Sequence, residues 1–240
     1  MVGWYYWDMR VVVLTGAGIS AESGLSTFRD SDGLWEGHDP MQVATPEAYA
    51  DDPSLVQRFY DDRRAALSRV GPNAAHHALA RLEEVLGEDL LVVTQNVDDL
   101  HERAGSQQVH HIHGRLRSAW CTTCDVRHHW DRPLVDGPPC PGCGASTLRP
   151  DIVWFGEIPY GMDLVEQALW DCDLFVSIGT SGVVYPAAAF VHQTRGATLE
   201  LNLAPSAGAS HFAESRQGPA TRLVPAWVTE LLGDGSPTSP

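Results

Sequence analysis

Lysine is absent from this chain of 240 residues, and all 16 of its basic residues are arginine. The acidic residues number 31, which gives a formal net charge of −15 with histidine neutral. A nucleic-acid-binding protein that works through a basic face is therefore not expected. The charge is compatible with cationic partners, although a soluble acidic surface explains it more simply.

Signals for membranes and for export are also missing. No apolar run is long enough to span a bilayer. Residues 1–10 are aromatic but lack a basic segment, an apolar stretch and a small-residue cleavage site, and they lack the Met-Gly start that myristoylation requires. We therefore expect a cytoplasmic protein that acts without a membrane.

Cysteines are few, and four of the five stand in two Cys-x-x-Cys pairs, Cys121/Cys124 and Cys140/Cys143, separated by 15 residues. Without an export signal, this pattern favours a metal over disulfides. Four thiolates complete the tetrahedral shell that zinc prefers, which predicts one structural zinc ion without a catalytic role. The fifth, Cys172, is expected to be a small buried residue.

Four short apolar runs, at residues 10–14, 90–94, 174–179 and 197–202, alternate with helix-length segments such as 74–86 and 163–170. Strands that alternate with helices predict an α/β fold with a parallel sheet covered on both faces.

Two stretches break this rhythm: residues 36–70 are rich in proline before a helical run at 54–69, and residues 117–150 hold the paired cysteines. We interpret both as a small helical and zinc-ribbon lobe, inserted into a Rossmann-like large lobe of about residues 1–35, 71–116 and 151–232. We expect residues 233–240 to be a disordered tail.

The sequence Gly16-Ala17-Gly18-Ile19-Ser20-Ala21 follows the first strand and satisfies the G-x-G-x-x-A pattern. Such glycines allow a tight turn and let the backbone approach a pyrophosphate. The polar and glycine-rich residues 22–35 leave room for only a short helix, unlike a dehydrogenase. They predict a loop that covers a cofactor, with Phe28 and Arg29 as its natural contacts to the ring and the phosphate. The alternative is a loop of ordinary turn residues without a ligand.

Several motifs, taken together and in order, resemble the sirtuin family. They are Gly16 to Ser20, Thr27-Phe28-Arg29, Thr94-Gln95-Asn96-Val97-Asp98, His111-Ile112-His113-Gly114, the two cysteine pairs, Val153-Trp154-Phe155-Gly156 and Gly179-Thr180-Ser181. They span nearly the whole chain, and the match is best for short bacterial members of the deacetylase/desuccinylase branch.

The resemblance implies that NAD is consumed as a co-substrate in removing acyl groups from protein lysines. Nicotinamide leaves, and the acyl group ends on ADP-ribose. His113 resembles the family's general base, a role that suits imidazole because its pKa lies near neutral pH. The acylated partner is a lysine-bearing peptide or protein, and we expect a monomer. The implied NAD contacts within the motifs are Gly16, Ala17, Gly18, Ser20, Thr27, Phe28, Arg29, Gln95, Asn96, Val97, Asp98, Gly179, Thr180 and Ser181. The resemblance implies further NAD contacts at Glu22, Trp35, Asn202, Leu203, Ala204 and Ala220.

The segment Val153-Trp154-Phe155-Gly156 resembles the edge on which the substrate peptide adds as a strand. Tyr60 and Arg63 are three residues apart on a predicted helix and share one face. They match the pair that binds succinyl and malonyl groups in this branch, as Ala44 matches its small pocket residue. We expect acetyl groups to be removed as well.

Alternatives remain at this stage. Tyr60 and Arg63 can be structural, for example with Arg63 paired to a neighbouring aspartate, which would leave a deacetylase only. The chain can also be a zinc-ribbon binding module without catalysis, or an NAD-linked oxidoreductase. ADP-ribosyl transfer to a protein nucleophile would be a variant of the same chemistry.

Overall fold

The computed structural model describes residues 9–26, 35 and 37–233. The strands are β1 Val11–Thr15, β2 Leu90–Thr94, β3 Val109–His111, β4 Gly114–Cys121, β5 Arg127–His129, β6 Leu148–Ile152, β7 Leu174–Ile178, β8 Ala197–Asn202 and β9 Glu214–Gln217. The α-helices are α1 Gly18–Ala21, α2 Pro40–Val43, α3 Pro46–Asp51, α4 Pro53–Leu67, α5 Ala74–Leu86, α6 Leu100–Ala104, α7 Met162–Asp171 and α8 Ala220–Leu232.

Six strands form a parallel sheet in the order β3-β2-β1-β7-β8-β9. The strand order reverses between β1 and β7, as it does at the switch point of a Rossmann-like fold. A separate antiparallel sheet has the order β5-β4-β6. The predicted α/β class, with a parallel sheet and a smaller additional lobe, is confirmed.

The first strand lies in the middle of the parallel sheet and is buried on both faces. Val11 and Val13 pack into the core that helices α5 and α8 cover, whereas Val12 and Leu14 pack into the core on the other side, next to α7. Successive side chains of a strand alternate between faces. A continuous run of β-branched residues therefore suits a strand with a core on both sides.

Helix α4 supplies one wall of the space between the two sheets. The predicted span was 54–69, and the helix runs from Pro53 to Leu67. It begins at Pro53 because the Asp52 side chain accepts a hydrogen bond from the N–H of Leu55, and proline suits the first helical position. Its buried face includes Phe59 and Tyr60, which pack toward the small sheet.

The first and last strands of the small sheet along the chain, β4 and β6, extend slightly past the lobe boundaries predicted at residues 116 and 150. Strand β4 already begins at Gly114, and β6 ends at Ile152. The division into lobes stays a prediction, and residues 234–240 of the expected tail lie outside the described residues. Within the described ranges, we find no helix that combines the length and apolar character needed to cross a membrane.

Gly114 joins the two sheets at a point where only glycine fits. Its φ is +85°, and a Cβ would overlap the carbonyl oxygen of Asp151. We predict that Gly114→Ala lowers the free energy of unfolding by about 2 kcal/mol or more, because strain and overlap add. Gly71→Ala is the control, because Gly71 has nothing within 4 Å of its Cβ position. Equal midpoints for both variants in urea would show that Gly114 is not constrained.

Candidate functional site

A cavity of about 1130 Å³ lies where the carboxyl ends of the parallel strands face the small lobe. Ligands of open α/β folds bind at this edge, at the switch point of the sheet. Every predicted cofactor, catalytic and substrate residue in the described part of the chain lines this cavity. The volume exceeds that of a usual ligand pocket and leaves room for a dinucleotide together with a second substrate.

The glycine turn forms the floor of the cavity. The N–H of Gly16 donates to Ile178 O at 3.0 Å, and the N–H of Gly18 donates to Gly179 O at 2.9 Å. A Cβ on Gly18 would lie 2.7 Å from the Cα of Gly179. Glycine is therefore needed for the two backbones to meet here, and only the short helix α1 follows, as expected.

The loop after β2 is tied to this floor through buried side chains. Asn96 Nδ2 donates to Gly16 O and to Ser20 Oγ, both at 3.2 Å. Ser20 Oγ in turn donates to Asp98 Oδ2 at 3.0 Å. Burial raises the pKa of Asp98, while hydrogen bonds from Leu100 and Ser20 oppose this rise. The polar groups are thus held in place before any ligand arrives.

Two histidines hold consecutive carbonyl groups of the same loop. His113 Nδ1 lies 3.1 Å from Gln95 O, and His111 Nδ1 lies 2.9 Å from Asn96 O. A carbonyl oxygen only accepts, so both Nδ1 atoms carry a proton. This leaves Nε2 of a neutral His113 with a lone pair. Burial lowers the pKa of His113, although the hydrogen bond to Gln95 opposes this effect.

His111 is braced from its other side by Glu102, whose Oε1 lies 2.8 Å from His111 Nε2. Burial raises the pKa of Glu102, but the hydrogen bond and charge of His111, with a contribution from Arg115, leave it below its usual value. Both nitrogens of His111 therefore face acceptors. The pair fixes the position of the Asn96 carbonyl and, through it, the loop.

The far wall comes from the ends of β7 and β8 and the start of α8. Gly179, Thr180 and Ser181 follow β7, and Asn202 Nδ2 donates to Thr180 O at 2.6 Å. Leu203, Ala204 and Ala220 complete this wall.

Glu22 lines the cavity and also caps α8. Its carboxylate accepts from the N–H of Thr221 at 3.0 Å and from the Thr221 hydroxyl at 2.7 Å. The first and last parts of the fold are therefore joined at the cavity wall. The predicted contacts Thr27, Phe28 and Arg29 lie outside the described residues.

Around helix α4, the cavity is lined by Trp35, Ala44, Tyr60 and Arg63. Tyr60 is fully buried, and its ring makes an edge contact with that of Trp35. The Arg63 guanidinium lies 3.4 Å from the centre of the Phe59 ring, and Nη1 donates to Phe59 O at 3.0 Å. Burial raises the pKa of Tyr60 far above its usual value, so its phenol is neutral.

The segment Val153 to Gly156 lines the cavity, but three of its N–H groups are used inside the protein. Val153 donates to His113 O at 2.9 Å, and Phe155 donates to Ala44 O at 2.9 Å. The N–H of Trp154 donates to Glu157 Oε2 at 2.8 Å. A peptide strand added here therefore cannot use these three donors.

The four paired cysteines meet at the far end of the small sheet. Their sulfur atoms all lie within 4.8 Å of one another. Cys121 and Cys143 are 3.6 Å apart at sulfur, and Cys124 and Cys140 are 3.8 Å apart. A tetrahedral zinc–thiolate shell separates sulfurs by about 3.8 Å, so the four residues fit zinc. The fifth cysteine, Cys172, is buried and not in the cluster, as predicted.

Several residues at the site were not predicted from the sequence. His111 was noted only as part of a motif, and its bond to Glu102 had no separate signal. Arg149 and Glu157, whose ion pair spans 2.7 Å beneath Trp154, were missed entirely. Glu157 directly follows the Trp-Phe-Gly motif, which was the one available hint, whereas Arg149 has no spacing that predicts its contact.

The fold and the site together define an α/β nucleotide-binding class with an attached cysteine-ligated metal lobe. The family model of the Sir2 family matches residues 16–186. An NAD-dependent protein deacylase from Yersinia pseudotuberculosis is 56% identical over 228 residues, which cover 92% of this chain and 82% of the relative. The chain belongs to the Sir2 family.

Solved structures agree with this assignment. A Sir2 homologue in complex with NAD superposes with a TM-score of 0.85 at 38% identity, covering 95% of this chain and 92% of that chain. A Sir2 protein with a deacetylated p53 peptide and 3′-O-acetyl-ADP-ribose has a TM-score of 0.79 at 28% identity, covering 94% and 93%.

We predict that Cys140→Ser removes one equivalent of zinc and lowers the thermal midpoint, because the small sheet packs around this site. Cys172→Ser is the matched control, since Cys172 is also buried but lies outside the cluster. Metal analysis and thermal unfolding of both variants provide the check. Full zinc in Cys140→Ser, or equal loss in both variants, would contradict the assignment.

Proposed function

We propose that this protein is an NAD-dependent protein-lysine deacylase. The observation that carries the proposal is that His113, the segment at 153–156 and the predicted NAD residues within the described ranges line one cavity. Relatives named as NAD-dependent protein deacylases and neighbours solved with NAD or a deacetylated peptide support it. NAD supplies a glycosidic bond whose cleavage releases nicotinamide and leaves ADP-ribose to accept the acyl group.

The chain's own residues fit the demands of this reaction. We assign the nicotinamide and ribose region to Gln95, Asn96 and Asp98, because their loop is fixed at the carboxyl end of β2. Hydrogen-bonding groups that are already oriented need little rearrangement as charge develops on the substrate. The glycine turn, with Gly16 and Gly18, would lie along the phosphates.

We assign the role of general base to His113. Its Nδ1 proton is held by Gln95 O, so Nε2 is the atom that accepts a proton from a ribose hydroxyl. Since burial lowers the pKa of His113, the ring is neutral near pH 7. His113 is therefore able to accept a proton at neutral pH. It becomes protonated, and so inactive as a base, only at a pH below the ordinary pKa of histidine.

The test measures nicotinamide released from NAD with acetyl-lysine and succinyl-lysine peptides. We expect release with both peptides, and a loss of about 100-fold or more in His113→Asn. His77→Asn is the control, because His77 is an exposed histidine on α5. The acid limb of kcat/KM should lie below about pH 6.5, the ordinary pKa of histidine. Production of reduced nicotinamide without release would identify an oxidoreductase instead.

We further propose that the cavity accepts succinyl and malonyl groups besides acetyl. Tyr60 and Arg63 both line it from α4, and Ala44 leaves space beside them. A carboxylate reaching this wall would meet a neutral phenol and a guanidinium, which are suited to hydrogen-bonding it. Because Tyr60 is shielded from water, such hydrogen bonds are stronger than they would be at an exposed site.

A second candidate is a deacetylase in which this pair is structural. One observation favours it: Arg63 Nη1 already donates to Phe59 O, and its guanidinium stacks on the Phe59 ring. Under this alternative Arg63 braces α4 and does not contact the acyl group. The two candidates differ in which substrates are turned over more slowly when Arg63 is replaced.

We predict that Arg63→Met lowers kcat/KM for the succinyl peptide at least about tenfold more than for the acetyl peptide, because only the succinyl carboxylate loses a charged partner. Arg58→Met is the control, since Arg58 is exposed on the same helix. Equal losses with both peptides would support the structural alternative.

The cytoplasmic location, the monomeric state and the lack of a nucleic-acid partner stay predictions from the sequence.

A further inference from the structure

A hydrogen bond between Tyr60 and Trp154 connects the two walls of the acyl region. Tyr60 lies on α4, and Trp154 follows β6, 94 residues later. The indole Nε1 of Trp154 lies 3.0 Å from the Tyr60 hydroxyl oxygen. Tyr60 is fully buried, and Trp154 is 2% exposed. Water therefore has little access to this contact, and its polarity is set by the protein.

The direction of this hydrogen bond follows from the donor alone. An indole N–H can only donate, so the Tyr60 oxygen is the acceptor. The hydroxyl proton must then point elsewhere. Among the described residues, Trp154 is the one that hydrogen-bonds this hydroxyl. Since Tyr60 also lines the cavity, its proton is left for a ligand that can accept it.

The Trp154 ring is itself held from below. The Arg149 guanidinium lies 3.4 Å from the ring centre, and it binds both oxygens of Glu157 at 2.7 and 3.0 Å. Arg149 Nη2 also donates to Ile152 O at 2.8 Å. Glu157 accepts the backbone N–H of Trp154. These contacts fix the indole, so that its N–H stays directed at Tyr60.

We propose that Trp154 determines acyl specificity by positioning the Tyr60 hydroxyl. The indole N–H of Trp154 donates to the Tyr60 oxygen. The hydroxyl proton of Tyr60 is then free to form a hydrogen bond to the acyl group. An acyl chain that ends in a carboxylate can accept this proton, whereas the methyl of an acetyl group cannot. This inference rests on the proposed deacylase function and adds to it a specificity residue outside helix α4.

The test is the ratio of kcat/KM for succinyl-lysine to that for acetyl-lysine peptides. Trp154→Phe keeps an aromatic ring over Arg149 but removes the N–H. Because an unfixed hydroxyl is a poorer donor, we expect this ratio to fall about fivefold, mainly through the KM of the succinyl peptide. Trp120→Phe is the matched control: it also loses an indole hydrogen bond, to Asp125 at 2.7 Å, but outside the cavity.

A double-variant cycle separates positioning from packing. Tyr60→Phe alone should also lower the ratio, and it removes only one oxygen atom. In the Tyr60→Phe background, adding Trp154→Phe should produce no further change in the ratio, because the hydroxyl that Trp154 positions is gone. A full additional fall in that background would overturn the inference. If Trp154→Phe fails to fold, an unchanged ratio in Tyr60→Phe alone overturns it.

The wild-type protein distinguishes the inference from the function on which it rests. Release of nicotinamide with the acetyl peptide but none with the succinyl peptide would overturn the role of Trp154 and leave the deacylase intact. No release with either peptide would overturn the proposed function itself. Activity on both peptides with an unchanged ratio in Trp154→Phe overturns the inference alone.

Discussion

The backbone contact between the glycine turn and Gly179 is the constraint on which the cavity depends. Gly179 has a φ of +63°, and a Cβ there would lie 2.5 Å from the N of Ile19. Because neither side of this contact carries a side chain, β1 and β7 can end together without separating. The loops that follow them then diverge around an open space, and the loop after β2 is attached to the same floor through Asn96.

The polar groups around this floor are oriented by neighbours more than by their own conformational preferences. His113 and His111 hold Gln95 O and Asn96 O, and Glu102 holds His111. Because these groups are oriented before binding, less conformational entropy is lost when a ligand binds. The same logic applies on the opposite wall, where Arg149 and Glu157 hold Trp154. Each wall is thus supported by a pair of hydrogen-bonded polar side chains, His111 with Glu102 on one side and Arg149 with Glu157 on the other.

Much of the fold could be predicted because its signals are local. Helix α5 spans the predicted residues 74–86, because Asn73 caps it at one end and glycine follows at the other. The cysteine pairs predicted the metal cluster, since two knuckles at that spacing can meet. The first strand was predicted at residues 10–14, and the structure has it one residue later, at Val11–Thr15. Thr15 belongs to β1 because it pairs with Thr94 on one side and with Ile178 on the other.

The contacts that were missed join residues distant in sequence, and no spacing rule covers them. The Tyr60–Trp154 bond spans 94 residues, and the Glu22–Thr221 bond spans 199. Whether such pairs meet depends on how helices and sheets pack, which periodicity does not determine. The motifs could identify residues that line the cavity, but they could not show which partners hold those residues in place.

The position of β1 has a consequence for biosynthesis. Among the strands that the structure describes, β1 is made first, yet it lies in the middle of the sheet, and the N–H of Arg10 donates to Asp173, 163 residues later. One edge of β1 can pair once β2 has been made, but the other edge must wait for β7. Until β7 has left the ribosome, the growing polypeptide therefore carries an unpaired apolar strand edge, which is the kind of surface that chaperones protect.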